Sequence, residues 1–416
     1  MTAPDPHRAI DAVWRIEQAR LIAGLARITR DVGTAEELAQ DALVAALKAW
    51  PAQGIPDNPG AWLMAAAKNR AFDERRRARL IARKHEEIGR DMDERDEPDL
   101  DAALDDDIGD DLLRLVFTAC HPVLSAEARV ALTLRLIGGL TTEEIARAFL
   151  AAEPTIAQRI VRAKRTLTEA KVPFEVPRGA ERAERLASVL EVIYLIFNEG
   201  YAATAGADWM RPALCEEALR VGRILAELAP EEGEVHGLVA LMEIQASRLK
   251  ARTGPQGEPI LLLEQNRARW DQLLIRRGLA ALARAEAQGP LGPYALQSAI
   301  AACHARARVA DDTDWRRIVA LYEQLAGITP SPVIELNLAV AVAMAFGPQA
   351  GLERVDALAA EPMLKNYHLL PSVRGDFLKK LGRLEEARAE FERAASLTQN
   401  AREKKLLLER AAGVMN

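Results

Sequence analysis

The chain has few of the residues that build disulfide frameworks, metal sites and sheets. Its 416 residues include only three cysteines, Cys120, Cys215 and Cys303, which lie far apart and form no C-x-x-C pair. This argues against a disulfide framework or a structural zinc site and fits a reducing compartment. Aromatic residues make up only 5% of the chain, while alanine and leucine are abundant. That balance favours helices over sheets.

A secretion signal and a long apolar run are also missing. The N-terminus, Met1 to Asp5, lacks the basic-then-apolar pattern of a signal peptide. The richest apolar run, 333–346, contains Glu335 and Asn337 and is shorter than a membrane span. We therefore expect a cytoplasmic protein that makes no membrane contact.

The motifs of hydrolytic and metal-dependent catalysis are not found. The sequence has no G-x-S-x-G, P-loop or H-E-x-x-H motif, and its six histidines are scattered. His121, between Cys120 and Pro122, fits a helix end better than a metal ligand. We expect no enzymatic activity, no cofactor and no bound metal.

Charge is distributed unevenly along the chain. Between His85 and Asp111 fourteen acidic residues face two arginines, a net charge of −12, whereas the whole chain carries −6. The remainder therefore carries +6, which places basic segments beside the acidic one. Because 85–110 contains Pro98 and few large apolar residues, it is predicted to be a flexible acidic linker and not a folded element.

Helical periodicity and its breaks predict an all-α protein. Residues 8–84 and 111–172 are predicted to form two small helical domains on either side of the linker. A helical extension, 181–330, and tetratricopeptide-like repeats, 331–412, are predicted to follow. In the first domain we expect a helix from about Gly33, capped by Thr34 with Glu37 at capping-box spacing, to Trp50–Pro51, and another from about Ala61.

The repeat prediction depends on one segment. Gly375, Ala387, Phe391 and Ala394 occupy the small, small, aromatic and small positions of a tetratricopeptide repeat. The small residues would let the two helices approach closely, and the phenylalanine would pack between them and the next repeat. Residues 333–360 resemble a degenerate preceding repeat.

Residues 141–167 show the pattern of a helix-turn-helix motif. Thr141 or Thr142 would cap the first helix, with Glu144 at capping-box spacing. The inward positions are apolar: Ile145, Ala146 and Phe149 in the first helix, and Ile156, Ile160 and Leu167 in the second. The second helix is basic, which suits the DNA major groove.

The polar residues of this second helix are Thr155, Gln158, Arg159, Arg162, Lys164 and Arg165. Arginine can bond guanine through two parallel hydrogen bonds, and lysine can pair with phosphates. The alternative is an ordinary amphipathic helix with a solvated charged face.

A second candidate DNA surface precedes the linker. Its basic residues are Lys68, Arg70, Arg75, Arg76, Arg77, Arg79, Arg83 and Lys84. Asn58, Trp62 and Asn69 lie just before or among them, and such side chains can stack on or hydrogen-bond an unpaired base. A charge run alone is usually a solvated face, and Trp62 could equally belong to the core.

Together, residues 12–170 resemble an extracytoplasmic-function (ECF) sigma factor of bacterial RNA polymerase. The resemblance is carried by 35–43 with Trp50, by 58–73, and by 141–146 with 157–165. It implies binding to the β′ and β subunits of core polymerase and to promoter DNA. The implied polymerase-docking residues on β′ are Glu37, Gln40, Asp41 and Leu43.

The resemblance also implies two DNA-reading sets. Residues that would recognise and melt the −10 element are Asn58, Trp62, Asn69, Arg70, Arg75 and Arg76. Residues that would read the −35 element are Thr155, Gln158, Arg159, Arg162, Lys164 and Arg165. Melting would need no ATP, because captured bases offset unpairing.

The C-terminal half, with the segment 194–201 and the repeat-like tail, resembles the subgroup that carries a long helical extension of tetratricopeptide type. This implies regulation of the sigma modules in cis, with a regulatory protein or ligand as a possible partner of the repeats. Tyr194, Phe197 and Tyr201 could equally be core residues.

Three rival readings remain open from the sequence. A stand-alone helix-turn-helix regulator with a repeat sensor would leave 35–77 unused and would bind operator DNA unaided. An enzyme on a helical scaffold lacks a catalytic constellation. A pure scaffold would leave both DNA modules vestigial.

Overall fold

The computed structural model describes residues 6–71, 108–149, 151–202, 210–255 and 257–414. Every regular element in these ranges is a helix, which confirms the predicted all-α class. The acidic linker predicted for 85–110 lies almost wholly outside the described residues. No helix in the described ranges is long and apolar enough to cross a membrane. The chain forms two compact units, Met1–Val192 and Ile193–Asn416.

The N-terminal unit contains seven described helices and the first part of an eighth. They are α1 (Pro6–Thr29), α2 (Val32–Gln53), α3 (59–71), α4 (Ile108–Ala119), α5 (Ala126–Leu136), α6 (Thr142–Ala148), α7 (Glu153–Glu169) and α8 (Gly179–Tyr201). Helix α1 packs against both α2 and α4, so the two predicted domains share one core. Ile22 and Leu25 of α1 and Leu115 and Val116 of α4 are buried in it.

The prediction that Thr34 caps α2 is wrong. Asp31 is the N-cap, and its carboxylate accepts the backbone N–H of Thr34 at 2.7 Å. Helix α2 also runs past Pro51 to Gln53, and Gly54, at φ +83°, donates its N–H to the Trp50 carbonyl. Helix α3 begins at residue 59, before the predicted Ala61, because the Asn58 side chain caps it. Local polar side chains and one glycine therefore set these boundaries.

The N-terminal unit extends beyond the predicted boundary at residue 172. The first half of α8 packs on the C-terminal end of α4, where Arg185 Nη2 donates to the Phe117 carbonyl at 3.0 Å. Ser188 Oγ donates to the Cys120 carbonyl at 2.8 Å. Helix α8 thus begins in one unit and ends in the other.

The C-terminal unit continues from α8 through ten more α-helices among the described residues, with short 3-10 turns between some of them. They are α9 (Pro212–Leu228), α10 (Gly233–Ala246), α11 (Gln272–Ala287), α12 (Pro293–Arg306), α13 (Trp315–Ile328), α14 (Pro332–Phe346), α15 (Pro348–Ala357), α16 (Leu369–Lys380), α17 (Leu384–Leu397) and α18 (Ala401–Ala412). Sequential helices pack on one another, and the apolar core runs from α10 to α14 and on from α14 to α18. Cys120, Cys215 and Cys303 are buried and free.

The repeat-like residues pack as their spacing predicts. Phe391 of α17 is fully buried, and a Cβ atom placed at Gly375 of α16 would lie 2.9 Å from its Cε1 atom. The small residue therefore lets the two helices approach around the ring. The centroid of the Phe391 ring lies 4.5 Å from the Arg410 guanidinium carbon of α18.

We predict that Gly375→Ala destabilises the C-terminal unit by about 1–3 kcal/mol, because the added methyl overpacks the contact with Phe391. Urea unfolding followed by circular dichroism would show a lower midpoint. The matched control is Gly327→Ala in α13, where a Cβ atom meets nothing within 4 Å. The control should unfold at the wild-type midpoint or slightly above it. Equal shifts in both variants would contradict the packing argument.

Candidate polymerase and nucleic-acid interface

Helices α6 and α7 form the predicted helix-turn-helix. The Glu144 N–H donates to Thr141 Oγ1 at 3.1 Å, and the Thr141 N–H donates to Glu144 Oε2 at 2.8 Å. This is the predicted capping box, and Thr141 is its cap. Ile145 and Ala146 are buried, as predicted, whereas Phe149 is only half-buried.

Helix α7 has the predicted apolar face. Ile156, Ile160 and Leu167 are buried, together with Ala163. Ala152 caps the helix without a side-chain hydrogen bond. Pro154 stands in the first turn, where a missing N–H leaves no helical hydrogen bond unmade. The buried face fixes which side chains of α7 point outward.

Four of the six predicted −35 residues share one face of α7. Thr155, Gln158, Arg159 and Arg162 line a groove of about 350 Å³ between α7 and the start of α5. Their spacing is that of one helix face. Neither arginine forms an ion pair within the described part of the chain. Their donors are therefore available to a ligand that enters the groove.

The other two predicted −35 residues lie elsewhere on α7. Arg165 is exposed and pairs with Glu169 one turn later, with 2.6 Å between Nε and Oε1. Lys164 points toward α2, where its ammonium group contacts Glu36 Oε2. Their assignment to DNA stays a prediction, and in this arrangement both cations already have carboxylate partners.

A buried carboxylate joins α2 to the helix-turn-helix. Glu36 is only 2% exposed. Its Oε1 atom accepts from Arg135 Nε at 2.6 Å and from Gln40 Nε2 at 2.8 Å, while Oε2 meets Lys164. Arg135 also donates to the Leu140 carbonyl at 3.2 Å, so it binds the turn that precedes α6. One side chain of α2 thus binds both α5 and α7, two helices of the second predicted domain.

Electrostatics keeps Glu36 ionised despite its burial. Burial alone would raise the pKa of Glu36, but the Lys164 and Arg135 cations outweigh it and lower the pKa below its ordinary value of 4.5. The charge is therefore compensated inside the unit, as a buried carboxylate requires.

Further polar contacts join the two modules. Buried Asp111 at the start of α4 forms an ion pair with Arg27 of α1, with 3.0 Å between Oδ2 and Nε. Thr168 Oγ1 of α7 donates to Asp31 Oδ2 at 2.6 Å. Among the described residues this boundary is thus rich in charged and hydrogen-bonded pairs as well as apolar contacts.

The predicted polymerase-docking residues lie along α2. Glu37 is exposed, and Leu43 is half-exposed. Gln40 is half-buried and bound to Glu36, whereas Asp41 Oδ2 accepts from Arg70 Nε of α3 at 2.9 Å. The last contact ties the predicted docking set to the predicted −10 set.

The described members of the −10 set surround the start and end of α3. Asn58 and Asn69 are exposed, although the Asn58 side chain is engaged in capping. Trp62 is half-buried, and its ring lies edge-on to Trp50 with 5.2 Å between centroids. It is thus a packing residue with a partly open surface. Arg75 and Arg76 lie outside the described residues.

Glu36 and Arg135 were not predicted as functional residues. One signal was present in the sequence, since Glu36 falls on the same helical arc as Val32, Ala35 and Ala39, which are all buried. An acid within an apolar arc indicates a buried cation. The identity of that cation, 99 residues away, had no local signature.

Comparisons with known proteins agree with this geometry. Residues 15–81 match Sigma-70 region 2, residues 114–167 match Sigma-70, region 4, and residues 185–286 match a family of unknown function, DUF6596. An uncharacterized protein of Rhizobium meliloti (strain 1021) is 42% identical over 395 residues, which cover 95% of this chain and 93% of that protein.

A more distant match carries a functional name. The probable ECF RNA polymerase sigma factor SigI of Mycobacterium tuberculosis is 28% identical over 177 residues. That alignment covers 42% of this chain and 60% of SigI. The chain therefore belongs to the same family as the Rhizobium meliloti protein, and it carries the two sigma-70 regions 2 and 4.

Proposed function

We propose that this protein directs bacterial RNA polymerase to its promoters in the cytoplasm and catalyses no reaction itself. The groove along α7 carries the proposal, because it gathers Thr155, Gln158, Arg159 and Arg162 on a helix-turn-helix. Arginines at this position can bond guanine edges in the major groove. Helix α7 would thus read the −35 element.

The first module would serve the −10 element and the polymerase. Asn69 and the open part of Trp62 offer polar and stacking contacts to an unpaired base, whose extrusion costs a few kcal/mol. Glu37 and Leu43 leave part of α2 accessible for docking on β′. Core polymerase would supply the catalytic chemistry.

The packed arrangement of the two modules would be a resting form. Glu36 lies beside the docking residues on α2, and its partner Lys164 lies on the reading helix. A polymerase that binds α2 would compete with these contacts and free Lys164 for phosphate binding. Promoter recognition would therefore follow polymerase binding.

The C-terminal unit would regulate the sigma modules in cis. Continuity of α8 supports this, because its first half packs on α4 and α5 while its second half lies in the C-terminal unit. A change in the C-terminal unit that moves α8 would thus reach the region 4 helices directly. This assigns the extension a role that a separate regulatory protein would otherwise fill.

We predict that Arg162→Ala lowers transcription from a promoter with an intact −35 element about tenfold or more, the effect of one lost base contact. Binding to core polymerase, measured by gel filtration, should be unchanged. Arg388→Ala is the matched control, since Arg388 lies on α17 outside the predicted DNA-reading sets and pairs with Glu392; it should leave the transcript level unchanged. Loss of polymerase binding in Arg162→Ala would show that the assignment is wrong.

We predict that Glu36→Gln lowers the free energy of unfolding of the N-terminal unit by about 3 kcal/mol at pH 7, because two half-buried cations lose their charged partner. Urea unfolding measures the change, and Glu37→Gln, on the exposed face of the same helix, should leave the midpoint unchanged.

The contribution of Glu36 to the free energy of unfolding depends on pH in a defined direction. The folded-state pKa of Glu36 lies below 4.5, so its contribution is complete above 4.5 and is lost as the pH falls through the lowered value. The difference between wild type and Glu36→Gln should therefore shrink as the pH falls below 4.5. A difference that grows with acid would refute the assigned ion pairs.

We predict that a chain ending after Tyr201 gives a different promoter output from the full chain in transcription with purified core polymerase. This boundary keeps Arg185 and Ser188, which bind the C-terminal end of α4 and the residue after it. A cut after Arg178 would remove both contacts and confuse regulation with unfolding. Equal output from the two chains would rule out regulation in cis.

A further inference from the structure

A cavity in the C-terminal unit carries chemistry that promoter recognition does not use. It has a volume of about 240 Å³ and lies between the end of α8 and helices α10, α12 and α13. Its walls combine aromatic and aliphatic side chains with a few polar groups, as in small-molecule sites. The described residues that line it include no aspartate or glutamate.

Arg248 is the cation of this cavity. Its Nη1 donates to Gln245 Oε1 at 2.8 Å and its Nε to Gln265 Oε1 at 3.2 Å. The guanidinium carbon also lies 5.5 Å from the Trp270 ring centroid. Neutral amides and ring faces thus hold the group in place, and no carboxylate of the described chain neutralises it. Three of its five N–H donors remain for a ligand.

His304 adds an unsatisfied polar group. It is only 8% exposed, and its Nδ1 atom is buried with no hydrogen-bond partner. Burial, followed by the Arg248 and Arg267 cations, lowers the pKa of His304 to about 4, so the ring is neutral. Its edge-on contact with Trp315, at 5.1 Å between centroids, fixes the ring. A buried polar atom of this kind calls for a partner, and the described part of the chain supplies none.

Aromatic side chains form the rest of the wall. Phe197 and Tyr201 stack with 5.7 Å between their centroids, and Tyr194 and Tyr322 also line the space. Burial raises the pKa of Tyr322 to about 12, so its hydroxyl stays protonated. A planar ring can pack against such side chains. The Tyr201 hydroxyl already donates to Gln245 Oε1 at 3.0 Å, so Tyr194 and Tyr322 are the tyrosines whose hydroxyls can donate to a ligand.

We propose that this cavity binds a small aromatic carboxylate. The carboxylate would lie on Arg248, and the ring would pack among Tyr194, Tyr201 and Tyr322. An anion is favoured because the half-buried guanidinium lacks a carboxylate within the described chain, and charge-assisted hydrogen bonds are the strongest such a ligand can make. The limited volume restricts the ligand to about one ring with short substituents.

Such a ligand would be the signal for regulation in cis. This role rests on the proposed function, whereas the binding proposal does not. The cavity is lined by the second half of α8, the helix whose first half packs on region 4. A bound ligand would therefore contact the element that connects the two units.

Calorimetry on the full chain tests the binding proposal. The probes are benzoate, phenylacetate and 4-hydroxybenzoate, each compared with its uncharged amide. At least one carboxylate should bind saturably and at least tenfold more tightly than its amide. The proposal is overturned if none binds up to about 10 mM, which is weak even for a ligand of about nine non-hydrogen atoms, or if the amides bind equally well.

Two variants and one control locate the site. Arg248→Gln should weaken carboxylate binding at least tenfold, and Tyr322→Phe, which removes one hydroxyl and keeps the ring, about threefold. Arg269→Gln, at an exposed position outside the cavity, should bind like wild type. If Arg248→Gln does not fold, Tyr322→Phe decides, and wild-type affinity in that variant overturns the site.

Transcription with the bound probe separates the two proposals. A change in promoter output on adding the carboxylate supports its role as the regulatory signal. Binding without any change in output keeps the site and refutes only the link to regulation in cis.

Discussion

The burial of one ionised carboxylate, Glu36, constrains the whole N-terminal unit. A buried charge must be compensated, and its two cations come from different elements, Arg135 at the end of α5 and Lys164 in the middle of α7. Since the geometry must satisfy both at once, α2 cannot shift along the helix-turn-helix without leaving a charge unpaired. The register between the two sigma modules is therefore set by electrostatics.

An interface held by ion pairs costs less free energy to separate than an apolar one. Ions that part can recover their hydration in water, whereas an apolar interface of equal size would expose surface at roughly 25 cal/mol per Å². Buried ion pairs contribute little net stability compared with well-packed apolar groups, yet removal of a single partner is costly. The contacts around Glu36 thus specify how α2 packs on α5 and α7. They also limit the free energy needed to separate these helices.

The local features were predictable from the sequence, and the long-range ones were not. The capping box of Thr141 and Glu144 and the buried face of Ile156, Ile160 and Leu167 follow from spacings of three and four residues, and the structure confirms them. The predicted cap at Thr34 failed because Asp31, three residues earlier, offers a carboxylate in the same reach. Competing caps within one turn cannot be ranked by pattern alone.

Two features could not be predicted from the sequence, and the reason is the same for both. They are the pairing of Glu36 with Arg135 and the lining of the C-terminal cavity. Each gathers side chains from helices distant in sequence, so each depends on how whole helices pack. Tyr201, Gln245 and His304 carry no mutual spacing that could indicate a shared cavity.

The two units differ in whether their buried polar groups have partners. In the N-terminal unit the buried carboxylates Glu36 and Asp111 both have cation partners. The cavity of the C-terminal unit keeps Arg248 and the Nδ1 atom of His304 without such compensation among the described residues. Buried donors without a partner cost stability unless a ligand binds them. This is the physical argument for the proposal that the C-terminal unit binds a ligand, which would also stabilise it.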